Sequence, residues 1–519
     1  MKTWIVVLSM LLSFPSLGLT QESELAAEVR ELRQKLERLE KKLEMEDAAR
    51  EKKAEEERAA IKAEVKKDVI SEVTAKGQSF FDRLIAQTKV GAYGSMRYGA
   101  SNLENNTFTF RRFVLTVDAP ITERLKANME LEFERFTQLE MEKTTTKTPG
   151  GGLTTVQAIE GNNQSEISLE QAWMQYDIAE WLKFRGGAVL VPLGRFNINH
   201  DDNRWDLPRR SLVDRGVPVL PAEAAWPELG VGFLGDIPIG AAGKLNYQWY
   251  VMNGAALDPE IEQISQTRAG DTTKLAYEIE IQPTRGTFSQ DVKSGKAVGT
   301  RWAYSPWLGD EIGASLYWGR YTPDYLANEP VFSISFDGKK TWGPFEIEAE
   351  YVYTQWNGVP KVARSLARRA INSESEGEVG DIETEVEFEL ANLASSKQGY
   401  WIDFRYRFWP EFLSNTILGK HFANPQLIAT LRLEQVWFRG LIKEMAFTST
   451  SLTQFDTQNR LLNRFTIGLT YRPVPLVALQ LAYEYTRTNK GQSLASVTNF
   501  LPSNGYYQNA VLIGLTFGF

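Results

Sequence analysis

Ten charged side chains crowd into residues 192–226: Arg195, Asp201, Asp202, Arg204, Asp206, Arg209, Arg210, Asp214, Arg215 and Glu223. Five guanidinium groups in one span could form a ladder for anions, because each matches phosphate or carboxylate oxygens bidentately. Five acids in the same span carry a second reading, a salt-bridged loop that only holds its own shape, and both readings stay open. Within it, Asn199–His200–Asp201–Asp202–Asn203 resembles a metal cluster. Its ligands are adjacent rather than spaced for one ion, and the only other histidine is His421, so it reads as a polar loop with internal turns and no metal centre is expected. Cysteine is absent, which excludes disulfides, thiolate catalysis and Cys-ligated metals. Neither histidine is flanked by a nucleophile motif, so no catalytic constellation and no cofactor are expected. The net charge of -8 and pI near 5.3 argue against a nucleic-acid partner.

The elements that must hold this segment are strands. In 125–134, Leu125, Ala127, Met129, Leu131 and Phe133 alternate with Lys126, Asn128, Glu130, Glu132 and Glu134. Similar alternation recurs in 345–353, 402–408 and 477–486. Runs of ten residues or more suit tilted strands that cross a bilayer. Connection lengths alternate as well. Short links at 118–124, 178–181, 237–243, 306–310, 339–343 and 473–475, with a longer one at 410–425, lie between loops. The loops fall at 99–106, 137–164, 192–226, 254–296, 321–329, 357–397, 440–460 and 489–505. Eight loops on one side and seven turns on the other predict a 16-stranded antiparallel transmembrane β-barrel. Residues 273–282 also read as a strand, but a seventeenth wall strand would invert every later turn, so they are assigned to the fourth outer loop. Residues 357–397 pair a basic stretch (Lys361, Arg364, Arg368, Arg369) with an acidic one, which reads as a self-paired solvated loop.

Ahead of the barrel, residues 1–20 read as a signal peptide, with Lys2 before a short apolar core. That core is too short to span a membrane as a helix. Residues 21–87 read as a periplasmic α-helical coiled coil, with Leu25, Val29, Leu32, Leu36, Leu39 and Leu43 as its seam, and its charged block 22–76 would be on the order of 80 Å long if fully helical. Residues 88–519 are assigned to the barrel. The aromatic content, 12%, fits two girdles at the membrane interfaces. The expected location is the bacterial outer membrane with the coil in the periplasm, and outer-membrane lipids are the expected surroundings. The last strand ends on Phe519, and a terminal aromatic on an alternating strand resembles the recognition signal of bacterial outer-membrane proteins.

Particular motifs add a resemblance. Arg111–Arg112–Phe113–Val114–Leu115, Gln171–Ala172–Trp173–Met174–Gln175–Tyr176, Val191–Pro192–Leu193–Gly194 and Asn463–Arg464–Phe465–Thr466–Ile467–Gly468 are similar to the phosphate-selective porin O and P family of bacterial outer membranes. The resemblance implies a homotrimeric sixteen-stranded channel passing small solutes or anions such as phosphate. It transfers no anion-binding side chain position by position.

A barrel of this size encloses an aqueous lumen, and selectivity comes from charges at its constriction. The candidate constriction residues are Arg195, Arg204, Arg209, Arg210 and Arg215 on the third outer loop. Arg112, Arg405, Arg407 and Arg432 on wall strands would extend the positive track. Glu130, Glu132, Glu134, Glu346, Glu348 and Glu350 also face inward by alternation. The arginines dominate the local field if those glutamates lie across a wide lumen, because salt screens charges beyond about 10 Å. A different class of function, a structural anchor tethering the membrane to the cell wall through the coil, remains the alternative.

Overall fold

The structure is a computed structural model. It describes residues 35–36, 80–103, 106–134, 138–147, 153–162, 166–214, 219–269, 272–286, 288, 291–374, 381–388, 393–448, 451–489 and 506–519. The signal segment, Arg215 and the seam from Leu25 to Leu43 fall outside these residues, except that Lys35 and Leu36 are helical. Residues 87–519 form one compact unit.

The strands are β1 (Lys89–Ser101), β2 (Thr107–Pro120), β3 (Leu125–Glu134), β4 (Gln138–Lys147), β5 (Leu153–Asn162), β6 (Glu166–Ala179), β7 (Leu182–Leu190), β8 (Pro227–Ile239), β9 (Gly243–Met252), β10 (Ala256–Ala269) and β11 (Thr272–Thr284). They continue as β12 (Ala297–Ser305), β13 (Glu311–Arg320), β14 (Pro330–Trp342), β15 (Phe345–Trp356), β16 (Asp381–Phe388), β17 (Ala394–Phe408), β18 (Gln426–Thr448), β19 (Ser451–Val474), β20 (Val477–Thr488) and β21 (Tyr507–Gly518). The helices are α1 (Phe80–Gln87), the single turn α2 (Arg195–Ile198) and α3 (Val359–Glu374).

Sixteen of the strands close a barrel. Each of β1–β3, β6–β9, β12–β15 and β17–β21 pairs antiparallel with its neighbour in that order. The ring shuts where β1 pairs with β21, Tyr93 opposite Gly518. Both ends of the barrel lie on the turn side: Phe519 and Ala92 exchange backbone hydrogen bonds of 2.9 and 3.1 Å.

Residues 273–282 lie in β11, outside the wall as expected, since β9 pairs directly with β12. The strand pairs with β10 and, in parallel, with β16, so these three build an extension on the loop side. Three expected loops need correction. Residues 137–164 contain the antiparallel pair β4–β5, a two-stranded sheet of its own. Residues 440–460 are not an open loop, because β18 and β19 run on as a paired hairpin to Thr448 and Ser451, kinked by register shifts after Phe438, Ile442 and Ala446. Residues 357–397 contain α3 and β16 rather than an irregular chain. In α3, Val359, Val362, Ala363, Leu366 and Ala367 are buried on one face, while Lys361, Arg364, Arg368 and Arg369 are exposed.

The burial of the wall is the reverse of a soluble protein's. In β20, Leu479, Leu481 and Tyr483 are exposed, while Gln480, Glu484, Thr486 and Thr488 are buried. In β13, Ile312, Leu316 and Trp318 are exposed, alternating with buried Gly313, Ser315 and Tyr317. The period of two therefore puts aliphatic and aromatic groups outside and polar or charged groups inside.

Candidate functional site

The third outer loop, between β7 and β8, lies across the lumen. Its entry depends on Gly194, whose φ of 74° lies in the left-handed region. A Cβ there would meet the Glu350 carboxylate at 2.1 Å. The same carboxylate accepts hydrogen bonds from the Phe196 backbone N–H at 2.9 Å and the Trp401 indole at 3.3 Å. Beyond it, Phe196 stacks on Trp205 at 4.4 Å between ring centroids, and Trp401 meets Trp205 edge-on at 5.4 Å. The loop's apolar residues, Val191, Leu193, Leu212, Val213, Val219 and Trp226 among them, join inward wall residues such as Tyr317 and Val436 in one buried core. An aqueous lumen does not predict an apolar core inside the barrel. The loop provides it by bringing its own aromatics.

The arginines assigned to selectivity are placed as follows. Arg195 bonds Glu311 at 2.6 Å and Glu348 at 2.5 Å. Arg204 pairs with Asp201 at 2.7 Å and is 59% exposed; Arg209 pairs with Glu484 at 2.8 Å and is 20% exposed. Arg210 is buried, donating to Asp202 at 3.2 Å and to the carbonyls of Ala224 and His200. On the wall, Arg112 contacts Glu132 at 2.8 Å, Glu170 and Asp202 at 3.6 Å, and Glu134. Arg405 holds Glu346 at 2.7 Å, Glu348 at 2.5 Å, Asp403 at 2.5 Å and Asp206 at 3.4 Å. Arg432 bonds Asp403 at 2.6 Å and Arg407 reaches Glu346 at 3.3 Å. The glutamates therefore do not lie across a wide lumen from the loop: Glu348 is in direct contact with Arg195, and Glu350 caps α2. Every described arginine of the expected track has a carboxylate partner.

Beneath the loop, on the turn side, lies a cavity of about 740 Å³. Asp118, Glu130, Asp201 and Asp206 line it together with His200, Arg204, Arg407 and Arg472. His200 is buried. Burial lowers the pKa of its imidazole, but the Glu170 carboxylate, followed by Asp201 and Glu130, outweighs this and pushes it up to about 9. Asp202 is also buried, which raises its pKa, yet Arg111, Arg112 and Arg210 hold the carboxyl well below the usual range.

Two residues of this site escape a strict reading of alternation, Arg111 and Glu170. In the β1–β2 pair, Ser95 faces Arg112 and Met96 faces Phe110, leaving Arg111 as an extra residue. In the β3–β6 pair, Glu130 faces Gln171 and Leu131 faces Leu169, leaving Glu170 as the extra one. Each bulge sets neighbouring polar residues toward the lumen instead of one in two.

No family model matches the chain. An uncharacterized protein of Aquifex aeolicus (strain VF5) is 26% identical over 168 residues, and the match spans 32% of this chain and 32% of that relative, about a third of its length. Among solved structures, an anion-selective porin from Comamonas acidovorans superposes with a TM-score of 0.45 at 9% identity, over 83% of this chain and 99% of the other. Salmonella typhi OmpF, in complex with daunomycin, gives 0.45 at 12% identity, over 83% and 97%. The outer membrane channel DcaP of Acinetobacter baumannii gives 0.38 at 12% identity, over 84% and 98%. The barrel assignment rests on the chain's own strand pairings.

Proposed function

We propose that this chain is an outer-membrane channel for passive diffusion of small solutes. The observation that carries the reading is the inverted wall: a closed ring of strands, apolar outside and charged inside, with a charged loop across the interior. An apolar outer band is what a bilayer solvates, and a polar interior is what water and solutes need. The test is conductance of the purified protein in a planar bilayer. Discrete channel steps support the reading. A bilayer that stays silent, with protein inserted in it, leaves the barrel as an anchor.

Two sides of the membrane follow from the loops, with the long loops outside the cell and the turns in the periplasm. The absence of native cysteine makes this directly measurable. Asn328→Cys, at an exposed loop position, is expected to react with a membrane-impermeant maleimide on intact cells. Leu308→Cys, fully exposed at a turn, is expected to react only after the outer membrane is permeabilised. Equal labelling of both would overturn the orientation.

For selectivity we propose a weak anion preference, in line with the resemblance to the phosphate-selective porin O and P family. It is carried by Arg204 and Arg209, because Arg195 is held between two carboxylates and Arg210 is buried with Asp202. Selectivity follows the local field at the narrowest point, and a guanidinium with water access contributes more to it than one already neutralised. Arg204→Ala combined with Arg209→Ala should move the reversal potential under a salt gradient toward the cation side by several millivolts. An unmoved potential would mean that the loop arginines are structural only.

The assembly we propose is a homotrimer, with the seam from Leu25 to Leu43 joining three chains. Leu32→Asp with Leu36→Asp should reduce cross-linked trimer while the barrel stays folded. Cross-linking of the native protein that stops at dimers would exclude the trimer.

A further inference from the structure

We propose that His200, Glu170 and Glu130, with Asp201 beside them, form a site for one divalent transition metal of the zinc class that fastens the inserted loop to the barrel wall. Candidate ligand atoms of the first three all lie within 4.8 Å of one another. The His200 Nε2 is 3.4 Å from Glu170 Oε2 and 3.6 Å from Asp201 Oδ1. A tetrahedral ion with bonds of about 2.1 Å sets its ligand atoms about 3.4 Å apart, so these separations need little change and Glu130 moves by about an ångström.

The imidazole is already aimed. Its Nδ1 lies 2.9 Å from the Asn197 carbonyl oxygen, which can only accept, so Nδ1 keeps its proton, and Nε2, aimed at the carboxylates, gives up its own proton when the ion binds. Metal-bound histidines are oriented by this kind of bond. Glu130 is held in turn by the Gln171 amide at 2.6 Å. The bulge in β6 is what brings Glu170 inward next to His200.

The charge balance points to a cation independently. His200 and Glu170 are each 1% exposed and Glu130 is 4% exposed. Glu132 Oε1 and Glu170 Oε1 both face the same Arg112 nitrogen, at 2.8 and 3.6 Å. Arg112 is shared among Glu132, Glu134, Glu170 and Asp202. Arg210 and Arg111 also serve Asp202 and His200 serves Glu170, so the excess negative charge is confined to Glu130, Glu132 and Glu134 around one guanidinium, a buried carboxylate cluster that is costly. Glu130, His200 and Asp201 line the cavity on the turn side, which provides an entry path. A nitrogen donor in a carboxylate set favours zinc-class ions over calcium or magnesium. The site joins His200 of the loop to Glu130 on β3 and Glu170 on β6, so an ion there ties three separate segments.

The experiment is calorimetric titration of Zn²⁺ into the full-length protein in detergent at pH 7, after a chelator has stripped it. The expected result is one Zn²⁺ per chain, with affinity at least tenfold weaker in His200→Ala and in Glu170→Gln and unchanged in His421→Ala. Zn²⁺ should also raise the thermal unfolding midpoint of the native protein but not of His200→Ala. Heat-modifiable gel mobility identifies any variant that fails to fold, and Glu170→Gln, nearly isosteric, keeps the test alive if His200→Ala does. No saturable binding would mean that His200 and Glu170 form only an imidazolium–carboxylate pair, and the proposal falls. Binding that survives both variants would place the ion elsewhere and also overturn it. Neither readout depends on conductance, so the result stands apart from the channel assignment.

Discussion

Arg405→Ala should destabilise the barrel by about 3–5 kcal/mol, the range for removing one member of a buried ion-pair network. Arg405 is buried and touches four carboxylates, Glu346, Glu348, Asp403 and Asp206, which belong to two wall strands and the inserted loop. The neighbouring cations are already engaged: Arg195 with Glu348, Arg407 with Glu346, Arg432 with Asp403 and Arg472 with Asp206. Truncation therefore leaves excess negative charge in the interior rather than a simple gap. Arg405→Lys should recover only part of the loss, because an ammonium cannot reproduce the planar fork that serves several carboxylates at once. Adding Glu348→Gln to Arg405→Ala should restore part of the stability, because the two residues are in contact and their effects are not additive. The measurement is urea unfolding in detergent micelles or liposomes, with reversal potential as a second readout, which should move toward the cation side. A loss below about 1 kcal/mol would mean that water screens the network as it does surface pairs.

The wall was legible because two independent regularities coincide in it. Alternation with a period of two marks each strand, and the unequal lengths of turns and loops mark the sides. Parity decided the one ambiguous segment: 273–282 has the alternation of a wall strand, but only its exclusion keeps the later turns on their side, and β9 does pair with β12. The rule lost its grip where strands leave the band. Above Phe438 the β18–β19 hairpin is rich in polar groups and broken by register shifts, so 440–460 carries the composition of a loop while its backbone stays paired. Propensity and polarity report the solvent there, not the hydrogen bonding.

The inserted loop was legible as a charged segment, and Gly194 in Val191–Pro192–Leu193–Gly194 stands at its entry. Its electrostatics were not legible. Two of the loop's arginines find their partners on strands far away in sequence, Arg195 on Glu311 and Glu348 and Arg209 on Glu484, and pairing across the lumen has no short-range signature. The two bulges hid the rest. Each inserts one residue, so a pattern read strictly every second position misplaces Arg111 and Glu170. The neighbours of His200 were hidden as well, because Glu130 and Glu170 come from β3 and β6 and not from its own segment.

Met129→Arg should destabilise the inserted barrel by about 2–4 kcal/mol, while Asn128→Arg one residue away should change it by less than about 1 kcal/mol. The two positions differ only in the face of β3 they occupy. Met129 is exposed on the outer face, and Asn128 lines the interior cavity, donating to Asp118 at 2.8 Å. Met129 lies four residues beyond the start of β3, which for a tilted strand is about 10 Å above the turn and near the middle of an apolar band roughly 25 Å tall. An arginine there must either sit in hydrocarbon or thin the bilayer, and both cost free energy. An arginine at 128 meets water in the cavity and Asp118 nearby, so its charge stays solvated and paired. The comparison is made by unfolding in liposomes, since a detergent micelle deforms around a charge and compresses the difference. Equal effects at the two positions would mean that the outer face is not solvated by lipid, and the membrane assignment would fall with it. Loss at Asn128 alone would mean that the interior is too tightly filled for a channel, and would leave the barrel with the anchor reading.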